Sequence, residues 1–241
     1  MSLPFSIVIP TYNEAAGIEK LLRALAATFA ANSLDGEVIV VDDNSPDGTG
    51  DVVERLAKEL PVRCLHRSGK LGLSSAVIEG WATARPQSVA LGAMDADFSH
   101  DVNALPRMVA ALESGYGLAI GSRYVPGGGI ANWPKRRIIV SRVACWLARP
   151  LTSVKDVTSG FFLVRRDALQ NVRLDPIGFK IGLEVIAKAH YGKAIEVPYV
   201  FTDRVAGESK LNEREIVNYL KQLGKLYSAW LRPKTAKERR T

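Results

Sequence analysis

The amino-acid sequence predicts an α/β fold, a mainly parallel sheet with helices on both faces. Three observations predict it. Short β-branched runs alternate with segments whose apolar residues recur at helical spacing. The runs in the first half are separated by stretches long enough for a crossover helix, as parallel pairing requires. Four of them end in a cluster of polar residues, as expected where strands of a parallel sheet end at a binding crevice.

The elements follow in order. "FSIVIP" (5 to 10) is a first strand, and Ile18, Leu21, Leu22, Leu25 and Phe29 then mark a helix. "EVIVV" (37 to 41) is a second strand, followed by the turn-rich "DDNSPDGTG" and a helix burying Val52, Val53, Leu56 and Leu60. "VRCLH", a helix through "LSSAVIEGWATA", "SVALGAM", a helix near 102 to 114 and "GLAIGS" (117 to 122) continue the series. "VPGGGIANWP" (125 to 134) reads as a loop, and the next helix sets Arg137 and Ser141 four apart on one face. "SGFFLVRR" is a strand, "GFKIGLEVIAKAHYG" a helix closed by Gly192, and "AIEVPYVF" a strand. "TDRVAGESKLNE" is a polar loop before a final helix.

The chain has 241 residues, 47% hydrophobic and 24% charged, with a net charge of +7. That fits one compact domain with a small C-terminal elaboration, drawn to anionic partners. We place the boundary at 210/211. Cys64 and Cys145 suggest core residues in a reducing compartment. The start resembles a strand rather than a secretory signal, and no window approaches the ~18 apolar residues of a membrane span. The expected location is the cytoplasmic face of a membrane, held peripherally.

The chemistry starts from exclusions. "PTYNEAAG" is not a dinucleotide fingerprint and no Walker A sequence occurs, which argues against a dehydrogenase or a P-loop ATPase. The strand ends are acidic instead. Glu14, Asp42 and Asp43 are candidates to accept hydrogen bonds from a base or ribose, with a turn and helix cap as the alternative for "DDNSPDGT". In "MDADFSHD", continued extended geometry would aim Asp95 and Asp97 to one face. Two carboxylates roughly 6 Å apart repel by roughly 3 kcal/mol at a dielectric near 20, so a cation between them is expected. A hard divalent ion held by these carboxylates and substrate phosphates fits, with a solvated acidic turn as the alternative. Asp101 reads as a helix cap, His100 as structural or exposed before it reads as a ligand, and His66 and His190 as structural or surface residues.

"PTYNE", "VVDDNSPDGT", "KLGLSSAVIEGW", "MDADFSH", "IGSRYVPGGGIANW", "SGFF", "GFKIGLE" and "RVAGESKL" stand in the order found in family-2 glycosyltransferases of the GT-A fold. The set most resembles polyprenol-phosphate (dolichol-phosphate) mannose synthases, from about residue 5 to residue 215. The resemblance implies inverting transfer of mannose from GDP-mannose to a polyprenyl monophosphate with Mg²⁺ or Mn²⁺. It implies that Pro10, Tyr12, Glu14, Val41, Asp42 and Asp43 line the nucleoside pocket and that Asp95 and Asp97 hold the metal. Ser99 stands at a third metal-site position where the family commonly has glutamine; being shorter, serine leaves room for a water.

A phosphate acceptor is already anionic and needs no general base; it needs cations that hold it near an anionic donor. Arg123, Arg137 with Ser141, Arg204 and Lys210 are the candidates, the alternatives being a brace at the fifth strand for Arg123 and ordinary surface charge for Arg204 and Lys210. Asp156 is positioned to orient one of the arginines, and Ser159 and Gly160 to shape the backbone. The last helix spaces Ile216, Leu220, Leu223, Tyr227, Trp230 and Leu231 along one stripe, which suits an interfacial helix and a core-packed one equally. A membrane surface or a membrane-anchoring subunit is therefore an expected partner, and nucleic acid is not. The rival readings are a UDP-glucose enzyme of the same kind and a non-catalytic nucleotide-sugar-binding subunit.

Overall fold

The computed structural model describes residues 2–202 and 213–231. Its central sheet has seven strands in the order β3-β2-β1-β4-β7-β5-β8. β1 (Phe5–Thr11) pairs in parallel with β2 (Gly36–Asp42) and β4 (Ala90–Ala93), and β2 pairs in parallel with β3 (Val62–His66). β5 (Leu118–Ser122) and β8 (Ala194–Pro198) form another parallel pair. Between the two groups β7 (Phe162–Arg165) runs antiparallel to both β4 and β5.

Strand alternation in β1 builds both cores. Phe5, Ile7 and Ile9 point into one cluster with Ile18, Leu21, Leu22 and Leu25 of α1 (Ala15–Ala31), Val53 and Leu56 of α2 (Thr49–Leu56), and Leu105, Met108 and Leu112 of α4 (Leu105–Glu113). Val8 points the other way, joining Ile39 and Val41 against Val77 and Trp81 of α3 (Leu73–Ala82). On that side lie also α5 (Lys135–Leu147), α6 (Ile181–Lys188) and α7 (Glu213–Leu231), through Cys145, Leu183, Tyr219, Leu223 and Leu226. Each such side chain taken from water contributes about 1.5–3 kcal/mol, so a register slip of one residue, which exchanges the two faces, is strongly disfavoured.

Four elements differ from the sequence expectation. The loop at 125 to 134 contains a short strand, β6 (Gly129–Ala131), which pairs in parallel with β9 (Val200–Thr202). The strand expected over 194 to 201 is interrupted at Tyr199, where its end leaves the main sheet to make that pair. α6 stops at Lys188 rather than Gly192: Ala189 turns extended, His190 donates its N–H to the Ala168 carbonyl at 2.8 Å, and the chain must reach the β5 edge. There Gly117 lies so close to the Tyr191 carbonyl that a Cβ would sit 2.0 Å from it. α2 ends at Leu56, short of Leu60, because Pro61 follows.

α7 resolves the double reading of its stripe. Tyr219, Leu223 and Leu226 are buried against the core, whereas Ile216, Val217, Leu220, Trp230 and Leu231 are exposed. The Tyr219 and Tyr227 hydroxyls donate to the carbonyls of Ala144 and Leu147 on α5 at 2.6 and 2.7 Å. No helix among the described residues is long and apolar enough to cross a membrane. Both cysteines are free thiols, Cys145 buried and Cys64 half-buried. The 210/211 boundary, Arg204 and Lys210 lie outside the described residues.

Candidate active site

At the carboxyl ends of β1, β4 and β5 opens a cavity of about 470 Å³. Its wall brings together Pro10, Asp95, Asp97, Arg123, Arg137 and Ser141, which in the sequence span 131 positions (141 − 10). The same cavity runs on into an apolar trough between α5 and α7, lined by Ile139, Val143, Ile216 and Leu220.

The acidic end is made by a turn and not by a strand. β4 finishes at Ala93, and the chain bends over 96 to 98 with Phe98 at φ 59. Strand alternation therefore does not align the two aspartates; the turn does. The left-handed conformation at bulky Phe98 costs about 1–3 kcal/mol, and it returns the chain so that the Ser99 N–H reaches Asp97 Oδ1 at 3.1 Å. The Ser99 hydroxyl donates to the same oxygen at 2.5 Å and the residue is buried. Ser99 thus orients Asp97 where a metal-ligand role was expected. Asp95 faces Gly160, where a Cβ would stand 3.3 Å from its carboxylate, so glycine is what lets that loop close on it. His100 is buried, stacked on Phe161 with ring centroids 5.2 Å apart, and its Nε2 lies 3.6 Å from Asp95. Burial holds its pKa below the ordinary value, against the pull of Asp95 and Asp97.

Among the described residues no cluster of three His, Cys, Asp or Glu side chains forms a self-sufficient metal site. Two hard carboxylates on one cavity wall nevertheless match an ion that completes its shell with substrate phosphates and water. The donor set fits Mg²⁺ or Mn²⁺.

The basic part is built around Asp156. Arg123 sits at the end of β5, buried, and grips Asp156 with Nε to Oδ2 at 2.7 Å and Nη2 to Oδ1 at 2.6 Å. Asp156 also accepts the Arg123 N–H at 3.0 Å. Burial disfavours both charges, but the paired hydrogen bonds outweigh it: the Arg123 pKa is raised and the Asp156 pKa lowered. Thr158 Oγ1 then accepts from Arg123 at 2.7 Å and lies 3.1 Å from the Ser141 hydroxyl. Trp133 carries the Arg137 guanidinium 3.9 Å above its ring and lies 5.1 Å from that of Arg123. Gly128 packs against the backbone at the end of β5, where a Cβ would be 2.5 Å from the Ser122 carbonyl.

The expected nucleoside residues divide. Tyr12 is exposed beside the cavity with the Lys70 ammonium 4.2 Å above its ring. Asp42 is buried and accepts from Thr11 Oγ1 at 2.9 Å and from the N–H and hydroxyl of Ser45 at 2.9 and 2.5 Å; the turn-and-cap alternative describes it. Asp47 completes that role by accepting the Ala15 N–H at the start of α1, and Glu14, whose N–H goes to Thr49 Oγ1, stands at the N-cap. Asp43 is paired with buried Arg67 at 2.7 Å and accepts the N–H groups of Leu71 and Gly72, which shapes the loop carrying Lys70. Val41 has its side chain in the core, so only its backbone is available to a ligand.

Sequence reading missed Thr158, Trp133, Lys70 and above all Lys180, on the cavity wall at the start of α6. A lysine opening the helix of "GFKIGLE" has the wrong sign for a helix N-terminus, and that was the available signal.

The glycosyl transferase family 2 profile matches residues 6–173. The chain belongs to this family. Among curated relatives, the dolichol-phosphate mannosyltransferase of Pyrococcus furiosus is 40% identical over 92% of this chain, and the chain spans 63% of that protein's length. The Saccharomyces cerevisiae dolichol-phosphate mannosyltransferase is 39% identical over 94% of this chain and 88% of its own. The polyprenol monophosphomannose synthase of Mycolicibacterium smegmatis is 38% identical over 87% and 82%. A solved structure of the Pyrobaculum calidifontis mannosyltransferase PcManGT, in complex with GDP-Man and Mn²⁺, superposes with TM-score 0.64 at 18% identity, covering 98% of this chain and 66% of that one. Glucosyl-3-phosphoglycerate synthase of Mycobacterium tuberculosis, with Mn²⁺ and UDP, gives 0.68 at 19%, covering 96% and 81%. For this family 2 chain those superpositions establish the GT-A fold. They do not select a donor, because one neighbour holds a guanine nucleotide and the other a uracil nucleotide.

Proposed function

We propose that the chain transfers mannose from GDP-mannose to a polyprenyl monophosphate, yielding polyprenyl-phosphate mannose and GDP. The supporting observation is the single cavity that is acidic at Asp95 and Asp97, cationic at Arg123 and Arg137, and apolar between α5 and α7. A sugar nucleotide, a phosphate nucleophile and a prenyl chain need those three environments in that order. The relatives' activities agree with this reading.

An acceptor phosphate oxygen attacks the anomeric carbon as the bond from that carbon to the diphosphate oxygen breaks, and GDP departs with the electron pair. Attack opposite the leaving group inverts the centre. A phosphate monoester, with its second pKa near 6, is largely a dianion at neutral pH, so no side chain has to remove a proton. Asp95 and Asp97 would hold a bound Mg²⁺ or Mn²⁺, which would neutralise charge building on the diphosphate. Ser99 fixes the Asp97 carboxylate for that task. Arg123, held by Asp156, and Arg137 with Ser141 draw the acceptor phosphate into line. Pro10 and Tyr12, with Lys70, frame the nucleoside entrance.

The exposed Ile139, Val143 and Trp146 of α5 and Ile216, Leu220 and Trp230 of α7 suit peripheral docking on a membrane surface, alone or with an anchoring subunit. Incubation with GDP-mannose or UDP-glucose, either metal and a short prenyl phosphate tests the reading. Mannosyl lipid from GDP-mannose is expected; glucosyl lipid alone, or no lipid product in any divalent metal, would reject it.

A further inference from the structure

Lys180 lines the cavity together with Asp95, Arg123 and Ser141. Its Nζ donates to the Thr158 carbonyl at 3.0 Å and sits 4.4 Å from the centre of the Phe179 ring; among the described residues it has no other hydrogen bond and no ion pair. An ammonium carries three donors, so two are left without a hydrogen-bond acceptor among the described residues, in a half-buried position faced by the Phe179 ring. The surroundings make this costly for the free protein. Lys180 is the N-cap residue of α6, where the helix dipole is already positive. Glu184, in the first turn, is turned away to Lys188, to Gln222 at 3.2 Å and to the Asp175 N–H at 2.7 Å. Burial and the nearby Arg123 charge push the Lys180 pKa down to about 8.

The position is nonetheless fixed from both sides. Gln222 of α7, fully buried, donates to the Lys180 carbonyl at 3.2 Å. Thr158 joins the cations: its carbonyl takes Lys180 while its hydroxyl takes Arg123 and meets Ser141. A cation held without a counter-ion at a helix N-terminus is a site prepared for an anion that arrives.

We infer that Lys180 is a phosphate-gripping residue for the acceptor, supplying the unspent hydrogen-bond donors beside Arg123 and Ser141. The inference rests on the polyprenyl-phosphate reading above and names a contact within it. Arg123 offers only its Nη1 donors, because Asp156 and Thr158 take its Nε and Nη2, and Lys180 adds a second charged donor group to the site. The carbonyl that holds the Lys180 ammonium belongs to Thr158, whose hydroxyl meets Arg123 and Ser141 of the proposed acceptor set, and the carbonyl of Lys180 is held by Gln222 of α7, the helix that lines the apolar trough. That location assigns it to the acceptor and not to the departing diphosphate.

The experiment measures binding of citronellyl phosphate, without donor, to the wild type and to Lys180→Met and Lys180→Arg, with GDP and Mn²⁺ binding measured in parallel. Thermal melting confirms folded variants. The expected result is at least a tenfold weaker citronellyl phosphate Kd in Lys180→Met, GDP affinity within twofold, partial recovery in Lys180→Arg, and a raised acceptor KM in turnover. Unchanged citronellyl phosphate binding in Lys180→Met, or an equal loss of GDP binding, would overturn the inference. Prenyl phosphate binding that depends on Lys180 in a wild type that makes no mannosyl lipid would uphold it and reject the proposed reaction instead.

Discussion

At the residue scale, Asp97 is the most exacting test of the acidic end. Its carboxylate is oriented by Ser99 and lines the cavity, so Asp97→Ala should lower transfer by at least about 100-fold while leaving the melting temperature within a few degrees. Near-normal turnover would remove Asp97 from the mechanism. Asp156 is different in kind, because it neutralises a buried arginine. Asp156→Ala should cost about 3–5 kcal/mol of stability, read as a lower denaturation midpoint at unchanged slope. Since the folded Asp156 pKa lies below the unfolded one, its stabilisation is full above about pH 4 and is lost as the pH falls through the folded value. Lys180 has the opposite setting. Its folded pKa of about 8 lies below the unfolded value near 10.4, so the unfolded chain binds more protons between the two. Stability should rise across that interval, and Lys180→Met should flatten the rise. The groups acting on it are Arg123 after β5, Asp95 after β4, Asp156, and Cys145 on α5. "MDADFSHD" advertised its carboxylates in the sequence, but Lys180 did not stand out there. Which lysine of a basic chain lacks a partner is a property of the packed structure.

At the scale of elements, the strand and helix alternation was legible because burial on both faces of a parallel sheet leaves long apolar runs with turn residues between them. The antiparallel insertion of β7 and the β6–β9 pair were not. Both join segments distant in the chain, such as Gly129 with Val200, and no local period records a non-local partner. The hydrogen bonds that Ser99 and Asp42 make were not legible for a related reason: a hydroxyl or carboxylate beside a candidate site can also bind the turn that makes it. α7 shows one stripe serving two purposes. Its buried Tyr219 hydroxyl anchors it to α5, so Tyr219→Phe should cost about 1 kcal/mol, measured by chemical denaturation. Its exposed Trp230, with Trp146 of α5, should reach a lipid surface. The double variant Trp146→Ala and Trp230→Ala should bind anionic vesicles several-fold more weakly while retaining transfer to a short, soluble prenyl phosphate. Undiminished vesicle binding would remove these tryptophans from the contact.

At the scale of the whole molecule, the sheet delivers carboxylates after β4 and a guanidinium after β5 to one cavity, and the less regular second half closes it with Trp133, Arg137, Thr158 and Lys180. In the proposed reaction the regular half supplies the donor side and Arg123, and the irregular half supplies the rest of the acceptor side. The central claim is that a lipid phosphate is the nucleophile. It is tested most directly by NMR of the product formed from GDP-mannose labelled with carbon-13 at the anomeric position, together with a prenyl phosphate and Mn²⁺ or Mg²⁺. The expected result is a labelled carbon coupled to the prenyl phosphorus, with the anomeric configuration inverted. Labelled free mannose, a retained configuration, or label remaining only in GDP-mannose would contradict it.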